Sequence, residues 1–306
     1  MRQIRTDLAM ESASAAGKSD LPGVKISAWE AGEVQITEVR IEKGEGAKLL
    51  GKAPGVYITL QCEAARRREA DARAAVASLL GEELLRLLPA DDGRPVLVIG
   101  LGNRSVTPDS LGPRTVSHTL VTRHLFQALP ESTSEKMQPV CAVAPGVLGV
   151  TGIETLEVVK GLVDQVKPRT IVVIDALSAR ATERLAATVQ LTDTGIQPGS
   201  GVGNHRSALT QETLGIKVLA IGVPTVIYAS TIARDALDLL AGDLADGHDQ
   251  AMDAIGEKLE AMLGELIVTP REVDELIVTL SQMLASGINQ ALQPGLDEKE
   301  ISTMMT

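Results

Sequence analysis

The chain has few aromatic residues and no excess of basic charge. Its 306 residues include only four aromatics, namely Trp29, Tyr57, Phe126 and Tyr228. So few rings leave little material for base-stacking platforms, and aliphatic side chains must fill the core. The net charge of −11 argues against a protein that grips nucleic-acid phosphates, because such affinity depends on Lys and Arg. We therefore expect no direct binding to nucleic acid.

Cysteine and long apolar runs are also scarce. The two cysteines, Cys62 and Cys141, are too few for a disulfide scaffold or for the usual four-ligand structural zinc site. No apolar run approaches the roughly 18 residues that a membrane span needs, so no membrane association is predicted. Asp7 and Glu11 interrupt the position where a secretory signal would have its apolar segment, which favours a cytoplasmic protein.

The first part of the chain divides into three regions. Residues 1–22 are rich in Ser, Ala and Gly and predict a mobile leader. Residues 23–61 alternate apolar and polar side chains between glycine-containing turns, a pattern typical of antiparallel or mixed strands. From about residue 63 to 88, apolar side chains recur at helical spacing and predict one long helix.

The rest of the chain alternates apolar runs with helical segments. Continuous Val- and Ile-rich runs are typical of strands buried on both faces, and they occupy residues 95–103, 139–147, 169–177 and 216–226. Helical patterns fall between them, and the tail from 235 is mostly helical. The predicted fold is α/β, a three-layer α/β/α sandwich with a mostly parallel central sheet, an additional N-terminal β portion and a helical C-terminal region.

Several familiar motifs are missing. The turn at Gly100, Leu101 and Gly102 suggests a dinucleotide site, but Ser105 stands where that fingerprint needs glycine. No GxSxG elbow and no HExxH pair is present, so neither a serine hydrolase of that type nor a zincin is supported. The sequence predicts no metal and no other cofactor.

Two aspartates lie just beyond predicted strands. Ligands of open α/β sheets bind beyond the carboxyl ends of the strands, where Asp109 and Asp175 fall. Taken singly, each is better explained as a turn or cap residue, and Asp109 more so than Asp175. Two carboxyls brought close together cannot both ionise easily, so one keeps a proton near neutral pH. The ionised carboxyl can take a proton from water while the protonated one polarises a peptide carbonyl.

Seven ordered sequence blocks, spread over nearly the whole chain, are those of a known family. They are RTDLAMES (5–12), GLGNRSVTPDSLGPRTV (100–116), APGVLGVTGIET (144–155), IDALSAR (174–180), TDTGIQPGSGVGNHR (192–206), IGVPTVI (221–227) and VTPREVD (268–274). In these blocks the chain resembles the germination proteases, endopeptidases of endospore-forming bacteria that degrade small acid-soluble spore proteins. The resemblance implies a fold related to hydrogenase-maturation peptidases, an aspartic mechanism using Asp109 and Asp175, a homotetramer, and a place in the forespore or spore core.

The resemblance also implies a zymogen that removes its own short leader. The family cuts between an acidic residue and a hydrophobe that precedes Ala, and Asp7, Leu8 and Ala9 match that pattern. We therefore predict cleavage between Asp7 and Leu8, within a leader of residues 1–20 that precedes a single peptidase domain, residues 21–306. The predicted substrates are small acid-soluble spore proteins, which coat DNA. Further candidates for the substrate cleft are Asn103, Glu154, His205 and Arg206.

Two other functions stay open on the sequence alone. One is a nickel-dependent peptidase of the hydrogenase-maturation kind, although no His stands beside either aspartate in the sequence. The other is a non-catalytic α/β binding module, since a fold does not by itself establish chemistry. Nickel in the purified protein would favour the first, and a chain that cuts neither itself nor a substrate would favour the second.

Overall fold

A single mixed sheet forms the centre of the protein. The computed structural model describes residues 6–15, 21–127, 136–199, 207–242, 255–256, 258–259, 261–264 and 266–305. In these ranges nine strands join in the order β1-β2-β3-β7-β8-β6-β4-β5, with β9 beside β8. Their bounds are β1 Val24–Ala31, β2 Val34–Ile41, β3 Gly55–Gln61, β4 Val96–Gly100, β5 Val140–Val143, β6 Thr170–Ala179, β7 Thr188–Thr192, β8 Lys217–Tyr228 and β9 Ile267–Val268.

The four apolar runs form the parallel part of this sheet. Strands β5, β4, β6 and β8 are parallel neighbours, as the sequence predicts. Strands β1, β2 and β3 are antiparallel, and β7 links them to β8, again by antiparallel pairing. The predicted N-terminal β portion is therefore confirmed, and it continues the central sheet.

Helices cover both faces, which confirms the three-layer α/β fold. Their bounds are α1 Ala9–Ala15, α2 Glu45–Leu50, α3 Glu63–Arg66, α4 Ala70–Leu87, α5 Leu111–Ser117, α6 Leu148–Thr151, α7 Thr155–Val166, α8 Gln211–Leu214, α9 Ala229–Gly242, α10 Val273–Leu292 and α11 Glu298–Met304. On the first face, α4 and α10 pack over the larger apolar core. On the second face, α7 packs over β4 and β6, whereas α1 and α2 lie over β2 and β3. None of the described helices is both long enough and apolar enough to cross a membrane.

The predicted single helix over residues 63–88 is wrong. It is two helices, α3 and α4, because Arg68 has a φ of 68° and breaks the run. A non-glycine residue in this conformation needs support from its surroundings. The Arg68 guanidinium also pairs with the carboxylate of Glu275 on α10, and this pair contributes little to stability because both side chains are exposed.

The prediction of a mobile leader is wrong for residues 6–15. Helix α1 forms there, and Leu8 and Ala9 have no solvent exposure. Ala9 and Ala13 belong to a small core with Tyr57 of β3 and Leu50 of α2. This part of the leader is therefore built into the second face of the sheet.

Helices α4 and α10 approach closely at two glycines, and this contact carries a prediction. A Cβ at Gly287 would lie 2.6 Å from the Ala77 carbonyl oxygen and 3.2 Å from Leu80 Cβ. We expect Gly287→Ala to lower the free energy of unfolding by about 1–3 kcal/mol, because overpacking outweighs the better helix propensity of Ala. The control is Gly161→Ala in α7, where a Cβ meets nothing within 4 Å. Gly161→Ala should raise the free energy of unfolding by about 0.5–1 kcal/mol. Urea titration measures both variants. Stabilisation by both variants would contradict the packing argument.

Candidate active site

Asp109 follows strand β4, as predicted, whereas Asp175 lies within the neighbouring parallel strand β6. The prediction that Asp175 stands just beyond its strand is therefore wrong, because β6 continues to Ala179 beside β8. Gly100 of β4 lies opposite Ile174 of β6, and the N–H of Leu101 donates to the Ile174 carbonyl at 2.8 Å. Asp175 is the next residue of β6 and is 7% exposed, whereas Asp109 closes a short 3₁₀ turn after β4. Asp175 therefore lies level with the carboxyl end of β4, and Asp109 lies in the segment that follows β4, where a ligand of such a sheet is expected.

A tight backbone turn holds Asp109. Its Oδ2 accepts a hydrogen bond from the N–H of Asn103 at 2.7 Å. Gly102 has a φ of 110°, and a Cβ there would overlap the carbonyl oxygen of Asp109 and lie 3.0 Å from its Oδ1. Asn103 was predicted to line the cleft; its N–H fixes the Asp109 carboxylate, while its side chain accepts from the N–H of Ser105.

Asp175 faces the second side of the sheet. Its neighbours Ile174 and Ala176 pack in the core of the first face, so strand alternation turns Asp175 the other way. Its Oδ1 accepts from the N–H of Ala176 at 2.9 Å. Across the sheet, Asp175 lies opposite Gly222 of β8, which in turn lies opposite Gln190 of β7. These three positions form one row, and adjacent strands in it are about 4.8 Å apart.

The leader backbone docks on the end of β6. The N–H of Asp7 donates to the Ser178 carbonyl at 3.0 Å, and the N–H of Ser178 donates to Asp7 Oδ2 at 2.9 Å. Ser178 is three positions beyond Asp175 on the same strand. Through its N–H, β6 therefore recognises the carboxylate of the residue on the N-terminal side of the predicted cleavage site.

Gln190 and Lys52 hold the peptide unit that follows. The carbonyl oxygen of Asp7 accepts from Lys52 Nζ at 2.8 Å and from Gln190 Nε2 at 3.1 Å. Gln190 Oε1 accepts from the N–H of Ala9 at 2.7 Å. Contacts on both sides of Leu8 thus fix the Asp7–Leu8 peptide over the second face of the sheet.

Glu11 anchors the leader beyond this point. Its carboxylate accepts from the N–H of Arg180 at 2.8 Å and from the N–H of Ala181 at 3.0 Å, and it pairs with the hydroxyl of Thr6. Burial lowers the pKa of Lys52, and the carboxylates of Asp7 and Glu11 partly oppose that shift. The positive charge of Lys52 therefore sits in a partly desolvated pocket that the leader carboxylates help to balance.

The other predicted cleft residues have different outcomes. Glu154 is the N-cap of α7 and forms a capping box with Glu157, so the contacts it makes there belong to a helix start. His205 and Arg206 lie outside the described residues. Three residues that contact Asp7 were not predicted from the sequence, namely Lys52, Gln190 and Ser178. Gln190 carried a signal, since it is a polar residue inside a buried strand; Lys52 and Ser178 carried none.

Within the described ranges, no three side chains of His, Cys, Asp or Glu come close enough to one another to hold a metal ion.

Known proteins similar to this chain fall mainly in one family. The model of the germination protease family matches residues 3–251. A germination protease of Caldanaerobacter subterraneus subsp. tengcongensis is 43% identical over 319 residues, covering 99% of this chain and 98% of that protein. That of Bacillus subtilis is 39% identical over 350 residues, covering 97% and 95%. Among solved structures, a nickel–iron hydrogenase maturation protease from Thermococcus kodakarensis is 16% identical with a TM-score of 0.35, covering 69% of this chain and 98% of that one.

Proposed function

The chain belongs to the germination protease family, and we propose that it is a self-processing endopeptidase that hydrolyses small acid-soluble spore proteins with an aspartate pair. A protease of spores is what family membership supports. The self-processing, the substrate and the catalytic pair are the parts that we propose.

One observation carries the proposal. The Asp7–Leu8 peptide is held between Ser178, Lys52 and Gln190, on the face of the sheet toward which Asp175 points. Strand β8 lies between Asp175 and Gln190, and the Leu177 side chain fills the space above Gly222 in that row. A matching acidic–hydrophobe–Ala segment is therefore bound on the face of the sheet toward which Asp175 points, two strands away from it.

The aspartate pair supplies the proton transfers. Of the two carboxyls, the ionised one takes a proton from water as the water attacks the Asp7 carbonyl carbon, and the protonated one donates to the peptide being cleaved. Cleavage would release residues 1–7 and leave Leu8 as the new N-terminus. It would also vacate the backbone groups of Ser178, where the acidic residue of a substrate can then bind.

The contacts of Asp7 also suggest which cleavage sites the enzyme prefers. Recognition of an acidic residue by the Ser178 N–H suits acidic–hydrophobe cleavage sites, and an aliphatic pocket would receive the hydrophobe. We propose that the enzyme acts as a homotetramer in the spore core, on substrate that has left DNA.

The substrate and the bond cut are tested together. The purified enzyme is incubated with a small acid-soluble spore protein, and the fragments are mapped by mass spectrometry. We expect a cut after an acidic residue and before a hydrophobe followed by Ala. Fragments with scattered ends, or an intact substrate, would contradict the proposal.

DNA should slow this reaction. With a net charge of −11 the enzyme has no basic excess with which to follow a DNA-bound substrate. Excess duplex DNA should therefore lower the initial cleavage rate by sequestering the substrate. A short peptide with the same cleavage site and no affinity for DNA serves as the control, and its cleavage should not change. Faster cleavage of the spore protein with DNA would contradict the charge argument.

A further inference from the structure

Two side chains from different elements converge on one carbonyl oxygen. Lys52 precedes β3 and Gln190 lies in the middle of β7, yet both donate to the oxygen of Asp7, at 2.8 and 3.1 Å. Two donors at such distances stabilise the negative charge that forms on a carbonyl oxygen when water adds to its carbon. This oxygen is bonded to the carbonyl carbon whose bond to the Leu8 nitrogen is broken in the proposed self-cleavage.

The amide of Gln190 also determines which peptide bond lies beside the two donors. Its Oε1 accepts from the N–H of Ala9 at 2.7 Å, which turns Nε2 toward the oxygen of Asp7. One amide group thus makes a contact on each side of Leu8. A shift of the chain by one residue would carry the Asp7 carbonyl and the Ala9 N–H away from Gln190 and break both contacts.

Lys52 contributes charge as well as a hydrogen bond. Its Nζ donates to the carbonyl oxygens of both Thr6 and Asp7, at 3.1 and 2.8 Å. A cation that is partly withdrawn from water acts strongly on a nearby developing anion, since solvent screens it less. The position of this ammonium group therefore favours the transition state over the bound peptide.

We propose that Lys52 and Gln190 form the oxyanion-binding pair of the active site. They serve the chain's own Asp7–Leu8 bond and, once residues 1–7 have left, the corresponding bond after an acidic residue of a substrate protein. This inference rests on the proposed function.

The contacts of Lys52 and Gln190 also indicate which atom receives the proton of the protonated aspartate. Water adds to the carbonyl carbon of Asp7 and gives its proton to the ionised aspartate. The carbon–nitrogen bond to Leu8 then breaks, and the nitrogen takes a proton from the aspartate pair. Lys52 and Gln190 already occupy both lone pairs of the oxygen and keep their own protons. The protonated aspartate is thereby left to protonate the leaving nitrogen.

The test compares full-length variants in self-cleavage. Lys52→Met removes the charge, and Gln190→Glu removes the donor to Asp7 while an acceptor for Ala9 remains. We expect each to lower the first-order rate of loss of residues 1–7 by about 10²–10³-fold, the effect of deleting one oxyanion donor. Lys48→Met, which removes an exposed charge from α2, is the matched control and should cut at the wild-type rate.

Thermal unfolding of each variant separates chemistry from folding. If Lys52→Met melts early, the near-isosteric Gln190→Glu decides the question. Wild-type rates in both folded variants would overturn the oxyanion pair and leave the proposed function standing. A wild-type chain that does not cut between Asp7 and Leu8 would overturn the proposed function, and this pair with it.

Discussion

Asp175→Asn should keep the chain at full mass under conditions in which the wild type loses residues 1–7. The substitution preserves the shape of the side chain, and the amide oxygen can still accept from the N–H of Ala176. It removes the carboxyl that, in the proposed mechanism, exchanges a proton with water or with the peptide. We expect self-cleavage and cleavage of a spore protein to fall together, by at least about 10²–10⁴-fold. Intact-mass spectra over time measure the first rate, and gel densitometry measures the second.

Two further variants make this result specific. Asp109→Asn should cause a similar loss, and the double variant should be little worse than either single one, because members of a catalytic unit are not additive. Asp164→Asn, at an exposed position on α7, should cut at the wild-type rate. Near-wild-type cleavage by either active-site variant, with melting unchanged, would remove the aspartate pair from the account.

Gly102→Ala should lower the activity of the enzyme although neither aspartate is substituted. A Cβ at this position would overlap the carbonyl oxygen of Asp109, so the turn from Asn103 to Asp109 must shift. The shift would move the Asp109 carboxylate, whose Oδ2 is fixed by the N–H of Asn103. Because a displacement of about 1 Å can cost 10²-fold in rate, we expect a loss of that order in both cleavage assays.

A control variant at a second glycine distinguishes the effect of backbone strain on activity from the effect of displacing Asp109. Gly215 also has a positive φ, of 73°, but a Cβ there meets nothing within 4 Å. Gly215→Ala should cost about 1 kcal/mol of stability and leave both cleavage rates unchanged. Equal losses of activity in the two variants would show that strain alone, and not the position of Asp109, explains the effect.

The strand pattern accounts for the position of Asp175. Apolar runs marked β4 and β6 as neighbouring parallel strands, and their pairing sets Asp175 level with the end of β4. Strand alternation then sends Asp175 to the face opposite Ile174. The strand pattern does not set the position of Asp109, which depends on the turn through Gly102 and Asn103.

The rest of the site depends on contacts that no local pattern reveals. Lys52 reaches the leader across 45 positions of the chain, and Gln190 reaches it across 183. The burial of Leu8 follows from the sheet surface beneath it, whereas the composition of residues 1–22 is only that of a polar, small-residue segment. The break at Arg68 is also absent from the local pattern, since no glycine or proline marks it.

The most direct test of the account is the fate of the leader in the wild-type chain incubated alone at different protein concentrations. Mass spectrometry identifies the released peptide, and its appearance gives the rate constant. Asp7 contacts β6 and β7 of its own chain. We therefore expect release of residues 1–7 with a rate constant that does not depend on protein concentration. Cleavage at another bond, or a rate constant that rises in proportion to protein concentration, would contradict it.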